Sequence, residues 1–382
     1  MEMTTAQLQT KLVRDYYKYF SKYARGKTPE KKVAWVTSFT PVEILSALNM
    51  EYYYPESYAA VIAASGKEQA LLEIAEKSGL PGECCAYSCC FAGCILEEEG
   101  PRGIPPRPDI LIATNNQCNT LPNWWNILAE KYGVPLIVLD YPGDVMPGER
   151  AREYVDMQHK DLIAKLEELT GNILEIPALD SAISNSRKAV KVWSKILGFM
   201  PVKDMGGTNL FDAITYLITS RCREETAMLY DRMAEEMEGY PDAGESLAKI
   251  FWLGYPLWYH PDRYLSEELG GCRITGANYL TWWNLDYSGA DCFDALFHAY
   301  NFTFLNLSQK ERTDRLVSLI KESGAAGAVS LKNKSCKCDF VSAKNVGLPQ
   351  AELEIDMIDR TYLDVGKAEK QIELLKEMIC TG

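Results

Sequence analysis

Five cysteines lie within one short stretch of this chain. Between Gly82 and Cys94 the sequence reads GECCAYSCCFAGC, so five of thirteen residues are cysteine. Two further sites lie far along the chain, at Cys118 and at Cys336 with Cys338. Clustered thiols are typical of disulfides or of bound metal, because isolated exposed thiolates oxidise and exchange. Any fold of this chain must therefore bring distant segments together or leave these thiols unexplained.

Composition and charge exclude several classes of protein. The chain has 382 residues, 47% of them hydrophobic, and a formal net charge of -13 without a basic stripe, which predicts no nucleic-acid binding. No apolar run of about 18 residues is present, so we expect no membrane contact. The first twenty residues are charged and lack the apolar segment of a secretory signal. We therefore expect a cytoplasmic protein, in which thiols stay reduced and disulfides are rare.

A site made of thiolates alone fits the cysteine stretch. The histidines are His159, His260 and His298, and none lies near a cysteine in the sequence. A zinc site of mixed cysteine and histidine is therefore not expected, whereas iron–sulfur clusters are held by cysteine thiolates. Four cysteines that stand alone are interpreted as small core residues: Cys222, Cys272, Cys292 and Cys380.

The spacing within the stretch suits a helix that begins near Ala86. On such a helix Cys85 and Cys89 lie one turn apart, and so do Cys90 and Cys94. The N–H groups at a helix N-terminus stabilise thiolates and anionic clusters. The stretch therefore offers more ligands than one site requires.

Alternating strand and helix patterns predict an α/β fold with two Rossmann-like (flavodoxin-like) lobes, parallel sheets and connecting helices. Strand-like runs begin at Val33, Asp109, Pro135, Lys249, Gly271, Gly327 and Leu353. Helical patterns cover 5–23, 67–78, 121–132, 149–170, 184–197, 209–239, 309–323 and 366–378, and another helix begins at Thr40 or Pro41. We assign an N-terminal lobe with the first cysteine sites to 1–150, a helical connection to 151–240 and a C-terminal lobe to 241–382.

Two of the cysteine sites follow predicted strands. Open α/β sheets bind ligands beyond the carboxyl ends of their strands, and Cys118 and Cys336 each lie just past one such end. Two facing lobes would bring these ends to one cleft, with the stretch from 82 to 94 at its wall. Cys336 and Cys338 are separated by one residue, and we expect one of them to reach one cluster and the other a neighbouring cluster. Six or more ligands are then available, whereas a single cubane takes at most four.

Several segments together resemble one known family. They are Cys85-x-Tyr87 with Gly93, Pro108-Asp109 with Cys118, Asn333-Lys-Ser-Cys336-Lys, and Leu348-Pro349 followed by Leu353-Glu-Ile-Asp356. From about Val33 to its end, the chain resembles the 2-hydroxyacyl-CoA dehydratase and benzoyl-CoA reductase family. The resemblance implies a [4Fe-4S] cubane held by Cys85, Cys118 and Cys336. It also implies a partner, a dimeric iron–sulfur ATPase that drives a low-potential electron into the protein at the expense of ATP.

The additional cysteines are similar to those of the double-cubane proteins of this family. These proteins are homodimers that reduce small molecules, and their [8Fe-9S] cluster consists of two sulfide-bridged cubanes, each held by three cysteines. The extra candidates here are Cys84, Cys89, Cys90 and Cys338. Spacing does not decide which of Cys84, Cys89, Cys90 and Cys94 complete the second set, and Cys84 and Cys89 with Cys338 are the first choice.

Three functions follow as hypotheses. The favoured one is an iron–sulfur oxidoreductase, the double-cubane component of an ATP-dependent two-component system that reduces a small molecule. The alternative is one subunit of a [4Fe-4S] 2-hydroxyacyl-CoA dehydratase, and the third is a carrier of metal or clusters without catalysis. No phosphate-binding loop for ATP is present, so ATP hydrolysis is assigned to the partner. The run 206–209 (Gly-Gly-Thr-Asn) is a weak candidate for binding CoA phosphate, because a simple helix cap explains it as well.

Overall fold

Two four-stranded sheets form the framework of the chain. The computed structural model describes residues 4–23, 30–146, 148–205, 210–244, 247–259, 271–336 and 347–381. The first sheet has the order β2-β1-β3-β4, with β1 Val33–Val36, β2 Glu51–Tyr53, β3 Ile110–Thr114 and β4 Leu136–Leu139. The second has the order β6-β5-β7-β8, with β5 Ala248–Leu253, β6 Cys272–Ala277, β7 Gly327–Asn333 and β8 Gln350–Ile355.

Every strand pairing in both sheets is parallel. In the first sheet, for example, Trp35 of β1 pairs with Leu111 of β3. All residues of β1 and β3 are buried, as expected of parallel strands with helices on both faces. The predicted two-lobed α/β fold is thereby confirmed. Strand β2 was not predicted from the sequence patterns.

Helices α1 to α6 accompany the first sheet. They are α1 Thr5–Tyr23, α2 Val42–Ala47, α3 Pro55–Ala64, α4 Glu68–Lys77, α5 Ala86–Glu97 and α6 Thr120–Tyr132. Helices α4 and α5 pack so closely that a Cβ atom at Gly93 would lie 2.0 Å from the Leu71 carbonyl oxygen. Glycine is therefore required at this position of α5. The close packing fixes the helix that carries most of the cysteines.

The remaining helices form the connection and the second lobe. They are α7 Gly148–Thr170, α8 Ile176–Leu197, α9 Leu210–Ser220, α10 Glu224–Glu238, α11 Asn278–Thr281, α12 Cys292–Asn301, α13 Gln309–Ser323 and α14 Val365–Thr381. Helices α11 and α12 were not predicted from the sequence, and two of the predicted helices have different bounds. Helix α8 begins at Ile176 with Pro177 in its first turn, ahead of the predicted start. The predicted helix 209–239 is interrupted at 221–223, between α9 and α10. None of the described helices is long and apolar enough to span a membrane.

Both sheets reverse their strand order at equivalent places. In the first sheet the chain leaves β1 toward β2 and returns on the other side to β3, and β5, β6 and β7 repeat this path. Such switch points leave a crevice beyond the carboxyl ends of the two central strands. In the first lobe, Ser38 and Cys118 follow β1 and β3, and in the second, Tyr255 and Cys336 follow β5 and β7. The crevices of the two lobes therefore both contribute residues to the lining of one cavity.

Candidate metal centre

Three cysteines from distant segments line one cavity. The cavity has a volume of about 860 Å³, and its wall includes Cys85, Cys118 and Cys336. Cys85 comes immediately before α5, whereas Cys118 and Cys336 follow β3 and β7. The cavity therefore unites the three cysteine sites of the sequence, one residue from each.

Cys85 is held at the start of α5. It occupies the N-cap position with a non-helical backbone, and its carbonyl accepts the first helical hydrogen bond from the Cys89 N–H at 3.0 Å. The next N–H, that of Ala86, donates to Ser335 Oγ at 3.1 Å. Ser335 immediately precedes Cys336, so this bond ties the Cys85 and Cys336 segments directly to each other.

Cys336 lies in a turn built on two buried side chains. The N–H groups of Ser335 and Cys336 both donate to Asn333 Oδ1 at 3.1 Å. The Ser335 hydroxyl donates to Asp356 Oδ2 at 2.6 Å. Asp356, which is fully buried, also accepts N–H bonds from Ile358 at 2.9 Å and from the residue after it at 3.0 Å. The turn that follows β7 is therefore fixed by β8 and the loop beyond it.

Cys118 ends a loop fixed by two asparagines. Asn115 accepts the Tyr141 N–H at 2.8 Å and donates to Asp140, which joins the loop to the end of β4. Asn116 is buried and donates to the Tyr300 carbonyl at 2.9 Å. The two asparagines that precede this cysteine thus set the course of its loop.

The donor set fits an iron–sulfur cluster. Burial raises the pKa of the Cys85 thiol well above its usual range, and charge on Cys336 or Cys118 raises it further. A bound metal would displace that proton, because clusters are held by thiolates. Within the described ranges, no three histidine, cysteine or carboxylate side chains converge on a position for a single metal ion. A cubane distributes its thiolates over separate iron atoms, so three spaced thiols around one cavity suit it.

The other cysteines of the stretch lie outside this cavity wall. Cys84 and Cys89 are close enough that charge on Cys84 helps raise the pKa of Cys89, which burial chiefly raises, to about 11. Cys90 and Cys94 are buried in the hydrophobic core on the inner face of α5. Cys338 lies outside the described residues, so the second ligand set stays a prediction.

The sequence spacing predicted that Cys85 and Cys89 lie one turn apart on a helix. The helix is present, but the two thiols lie in different surroundings. Helix α5 begins at Ala86, as predicted. Cys85 has N-cap geometry rather than a helical backbone, so its thiol reaches the cavity. The Cys89 sulfur instead lies 4.0 Å from the Pro81 carbonyl oxygen. The two neighbours in helical spacing therefore belong to different environments.

A serine and a glutamate at the cavity were not identified from the sequence. Glu56 lies in the first turn of α3, and its Oε2 accepts both the N–H and the hydroxyl of Ser38 at 3.0 Å. Burial raises the pKa of Glu56 to about 7, and charge on Cys118 adds to this effect. Both residues follow strand ends of the first sheet, so the rule that located Cys118 could have located them. Because the short strand β2 was not predicted, the position of Glu56 just beyond its end was not recognised.

A buried ion pair supports the loop that carries Ser38. Arg221 lies between α9 and α10, and its Nη2 donates to the Thr40 carbonyl at 2.6 Å, while its Nε lies 3.4 Å from Glu43 Oε1. Both charged side chains are fully buried. Glu43 also accepts hydrogen bonds of 2.6 to 2.7 Å from three hydroxyl groups, those of Ser186, Tyr287 and Tyr300. This network joins α2, α8, α12 and the segment between α9 and α10.

The described cavity wall has no surplus of positive charge. Its carboxylates are those of Asp15, Glu51, Glu56, Asp212 and Glu225, and its cations are Lys11, Arg14, Arg102 and Arg223. Lys11 and Arg14 pair with Asp15 at 2.7 and 3.3 Å, and Arg223 pairs with Glu51 at 2.9 Å. The candidate phosphate-binding run 206–209 lies outside the described residues. The described part of the wall is therefore not a preformed site for several phosphate groups.

Fold and cavity together define a two-lobed parallel α/β protein with three cysteine thiols around one cavity between its lobes. Comparison with known proteins identifies the family. A family model described as the D-component of 2-hydroxyglutaryl-CoA dehydratase matches residues 37–379, so the chain belongs to this family.

Curated relatives agree with this assignment along nearly the whole chain. The chain is 25% identical to the alpha subunit of lactoyl-CoA dehydratase of Anaerotignum propionicum, over 93% of this chain and 92% of the relative. It is 26% identical to the alpha subunit of (R)-2-hydroxyisocaproyl-CoA dehydratase of Clostridioides difficile, over the same shares. A shorter match, 28% identical over 42% of this chain and 39% of the relative, is to one of the subunits of benzoyl-CoA reductase of Thauera aromatica. The resemblance read from the sequence is thus confirmed.

Proposed function

We propose that the chain is the iron–sulfur component of an ATP-dependent two-component reductase, holding a double-cubane [8Fe-9S] cluster and acting on a small molecule. The observation that carries the proposal is the meeting of Cys85, Cys118 and Cys336 at one interlobe cavity. These three thiols are the proposed ligands of the cubane that faces the cavity. When bound, such a cluster supplies electrons at low potential.

The second cubane is assigned to the thiols beside the first set. Cys84 and Cys89 lie near each other at the N-terminal end of α5, next to Cys85. Together with Cys338 they would complete three more ligands. Helix α5 favours negative charge at this end through its dipole. Cys90 remains a weaker candidate, because it is buried among apolar side chains of the lobe core.

The cavity supports a small substrate rather than a large anionic one. An acyl-CoA carries several phosphate charges, whereas three of the four described wall cations, Lys11, Arg14 and Arg223, are already paired with carboxylates. Buried aromatic side chains line the cavity and reduce its contact with water: Trp124, Trp258, Tyr279, Trp282 and Trp283. Glu56, oriented by Ser38, is the carboxyl group placed to exchange a proton with a molecule in the cavity.

The alternative is a subunit of a 2-hydroxyacyl-CoA dehydratase with one [4Fe-4S] cluster. Similarity over 93% of the chain to alpha subunits of such dehydratases favours it. In this function Cys85, Cys118 and Cys336 would remain the ligands, and Cys84 and Cys89 would not bind iron. A paralogous second subunit and binding of CoA are then required.

Partners follow from the same comparison. Relatives of the chain are named as subunits, which supports function within a multicomponent system. The proposed reductase would be a homodimer that receives its electrons from a dimeric iron–sulfur ATPase. Mixing the protein with such an ATPase should give reduction of a small acceptor only when ATP is present.

Iron and acid-labile sulfide per chain, measured after anaerobic purification, test the two functions. The parent protein is compared with a Cys84→Ser/Cys89→Ser double variant and with Cys85→Ser. Cys380→Ser is the matched control, because Cys380 is exposed on the last helix, far along the chain from the stretch. We expect about eight irons in the parent and control and about four in the double variant. Cys85→Ser should lose the visible absorbance of the cluster.

Other results select other functions. About four irons in the parent, unchanged in the double variant, would establish the dehydratase alternative. Iron that chelators remove readily, with no ATP-dependent turnover, would indicate the carrier. Full colour and activity in Cys85→Ser would show that the cavity thiols are not the ligands and would refute both catalytic proposals.

A further inference from the structure

A tyrosine hydroxyl contacts the sulfur of one cavity cysteine. The Oη atom of Tyr255 lies 3.3 Å from Cys336 Sγ, within hydrogen-bonding distance for sulfur. Tyr255 follows β5 just as Ser38 follows β1, so it occupies the equivalent crevice of the second lobe. It also lines the cavity. The contact therefore joins the two central strand ends of the second lobe at the site.

The position of this hydroxyl is set by the backbone and by ring packing. Gly254 has a φ of +118°, and a Cβ atom there would lie 2.8 Å from Leu331 Cβ of the neighbouring strand, so only glycine fits the turn. The Gly254 N–H donates to Asn278 Oδ1 at 2.8 Å, and the Tyr255 carbonyl accepts from Trp252 Nε1 at 3.2 Å. The Tyr255 backbone is thereby fixed on both sides.

Two further aromatic rings hold the Tyr255 side chain. The ring centroids of Tyr279 and Trp282 lie 5.7 and 5.3 Å from that of Tyr255. Trp282 in turn stacks on Phe304 at 5.7 Å. An aromatic side chain packed in this way loses little additional freedom when its hydroxyl makes a hydrogen bond. The hydroxyl is therefore preorganised toward the sulfur.

Metal binding at Cys336 would reverse the direction of this hydrogen bond. A protonated Cys336 donates to the Tyr255 oxygen, as the geometry allows. A thiolate bound to iron has no proton, so the tyrosine O–H becomes the donor and the sulfur the acceptor. We propose that Tyr255 is a positioning residue for the cluster, whose O–H donates to the Cys336 thiolate and raises the reduction potential of the cubane facing the cavity.

The inference rests on the proposed function only in taking Cys336 as a cluster ligand. It holds for one cubane or two. Reduction increases the negative charge on the thiolate sulfurs, and a hydrogen bond to such a sulfur stabilises the reduced form more than the oxidised form. Loss of the donor should therefore make the cluster harder to reduce. The first effect is on potential and not on binding, because the thiolate itself remains.

The experiment is an anaerobic redox titration of Tyr255→Phe, followed by electron paramagnetic resonance, with iron content measured on the same sample. Tyr87→Phe is the matched control. Its hydroxyl lies on the same cavity wall but accepts a hydrogen bond from the Trp258 indole. We expect both variants to retain the iron of the parent protein. Tyr255→Phe should have a more negative midpoint potential, and the control should remain near the parent value.

A vibrational measurement separates hydrogen bonding from a change in shape. In the parent, transfer from H₂O to D₂O should shift the Fe–S(Cys) stretching bands, and in Tyr255→Phe that shift should decrease. An unchanged potential in Tyr255→Phe would overturn the inference, and so would an equal change in Tyr87→Phe or loss of iron from Tyr255→Phe. Absence of iron from the parent itself would overturn the proposed function together with this inference.

Discussion

Replacement of Ser335 by alanine tests the bond between the two cysteine segments. The Ser335 hydroxyl accepts the Ala86 N–H at 3.1 Å and donates to the buried Asp356 carboxylate at 2.6 Å. The Ser335→Ala side chain can do neither. The change is small in volume, so the effect isolates the hydrogen bonds more than the packing.

The expected loss of stability can be worked from these two contacts. A hydrogen bond to a charged group contributes about 1.5–3 kcal/mol, and a neutral one contributes about 0.5–1.5 kcal/mol. Asp356 keeps its N–H bonds from Ile358 and Asp359, and Ser335 is only half-buried, so water replaces part of the loss. We expect the free energy of unfolding of the metal-free protein to fall by about 2–3 kcal/mol.

Urea unfolding of the metal-free protein measures this change. The control is Ser323→Ala, because the Ser323 hydroxyl bonds only locally, to the Ile320 carbonyl of its own helix at 2.7 Å and to the Ala325 N–H. That control should change the free energy of unfolding by less than about 1 kcal/mol. A double-mutant cycle with Asp356→Asn should show coupling of at least about 0.5 kcal/mol. If Ser335→Ala matches the control, Ser335 does not stabilise the connection between the two segments. If the cycle shows no coupling, the bond from Ser335 to Asp356 does not contribute to stability.

Two other buried groups give predictions that the same unfolding assay checks. Arg221→Met should lower the free energy of unfolding by about 3–5 kcal/mol, because it leaves the fully buried Glu43 without its cation. Arg221→Met/Glu43→Gln should recover part of that loss, and no recovery would contradict the charge argument. Burial lowers the pKa of His159 from 6.5 to about 3, so the unfolded chain takes up this proton first as the pH falls. Its stabilising contribution is present above about pH 6.5 and falls by about 2 kcal/mol between pH 6.5 and 5; His159→Gln should flatten that part of the pH profile, and an unchanged profile would exclude His159 as its source.

The sequence was most informative where strands were long and apolar. Strands such as β1 and β3 are buried runs of hydrophobic residues, and their alternation with helices predicted the two parallel sheets. Strand β2 has three residues, Glu51–Tyr53, and offers too short a pattern to be recognised. The break between α9 and α10 at Arg221 was not predicted for another reason. The buried Arg221 guanidinium forms hydrogen bonds with partners far away in the sequence, such as the Thr40 carbonyl.

The candidate site was predicted in part. The sequence showed that Cys118 and Cys336 follow predicted strands. Because open parallel sheets bind ligands beyond the carboxyl ends of their strands, we predicted that the two cysteines meet at one cleft. The stretch from 82 to 94 was expected at the wall of the cleft, and the resemblance implied Cys85 as its ligand; in the structure Cys85, at the N-cap of α5, lines the cavity. The dihedral geometry of this N-cap is not encoded in residue spacing. Ser38, Glu56 and Tyr255 are common residue types without a motif, and only their placement at strand ends makes them part of the site.

The bond between Ala86 and Ser335 joins positions 249 residues apart. If the cavity thiols are the ligands, the last of them, Cys336, is synthesised 251 residues after Cys85 and 218 residues after Cys118. The N-terminal lobe alone cannot assemble a centre on these three thiols. Insertion of such a cluster therefore follows synthesis of the second lobe.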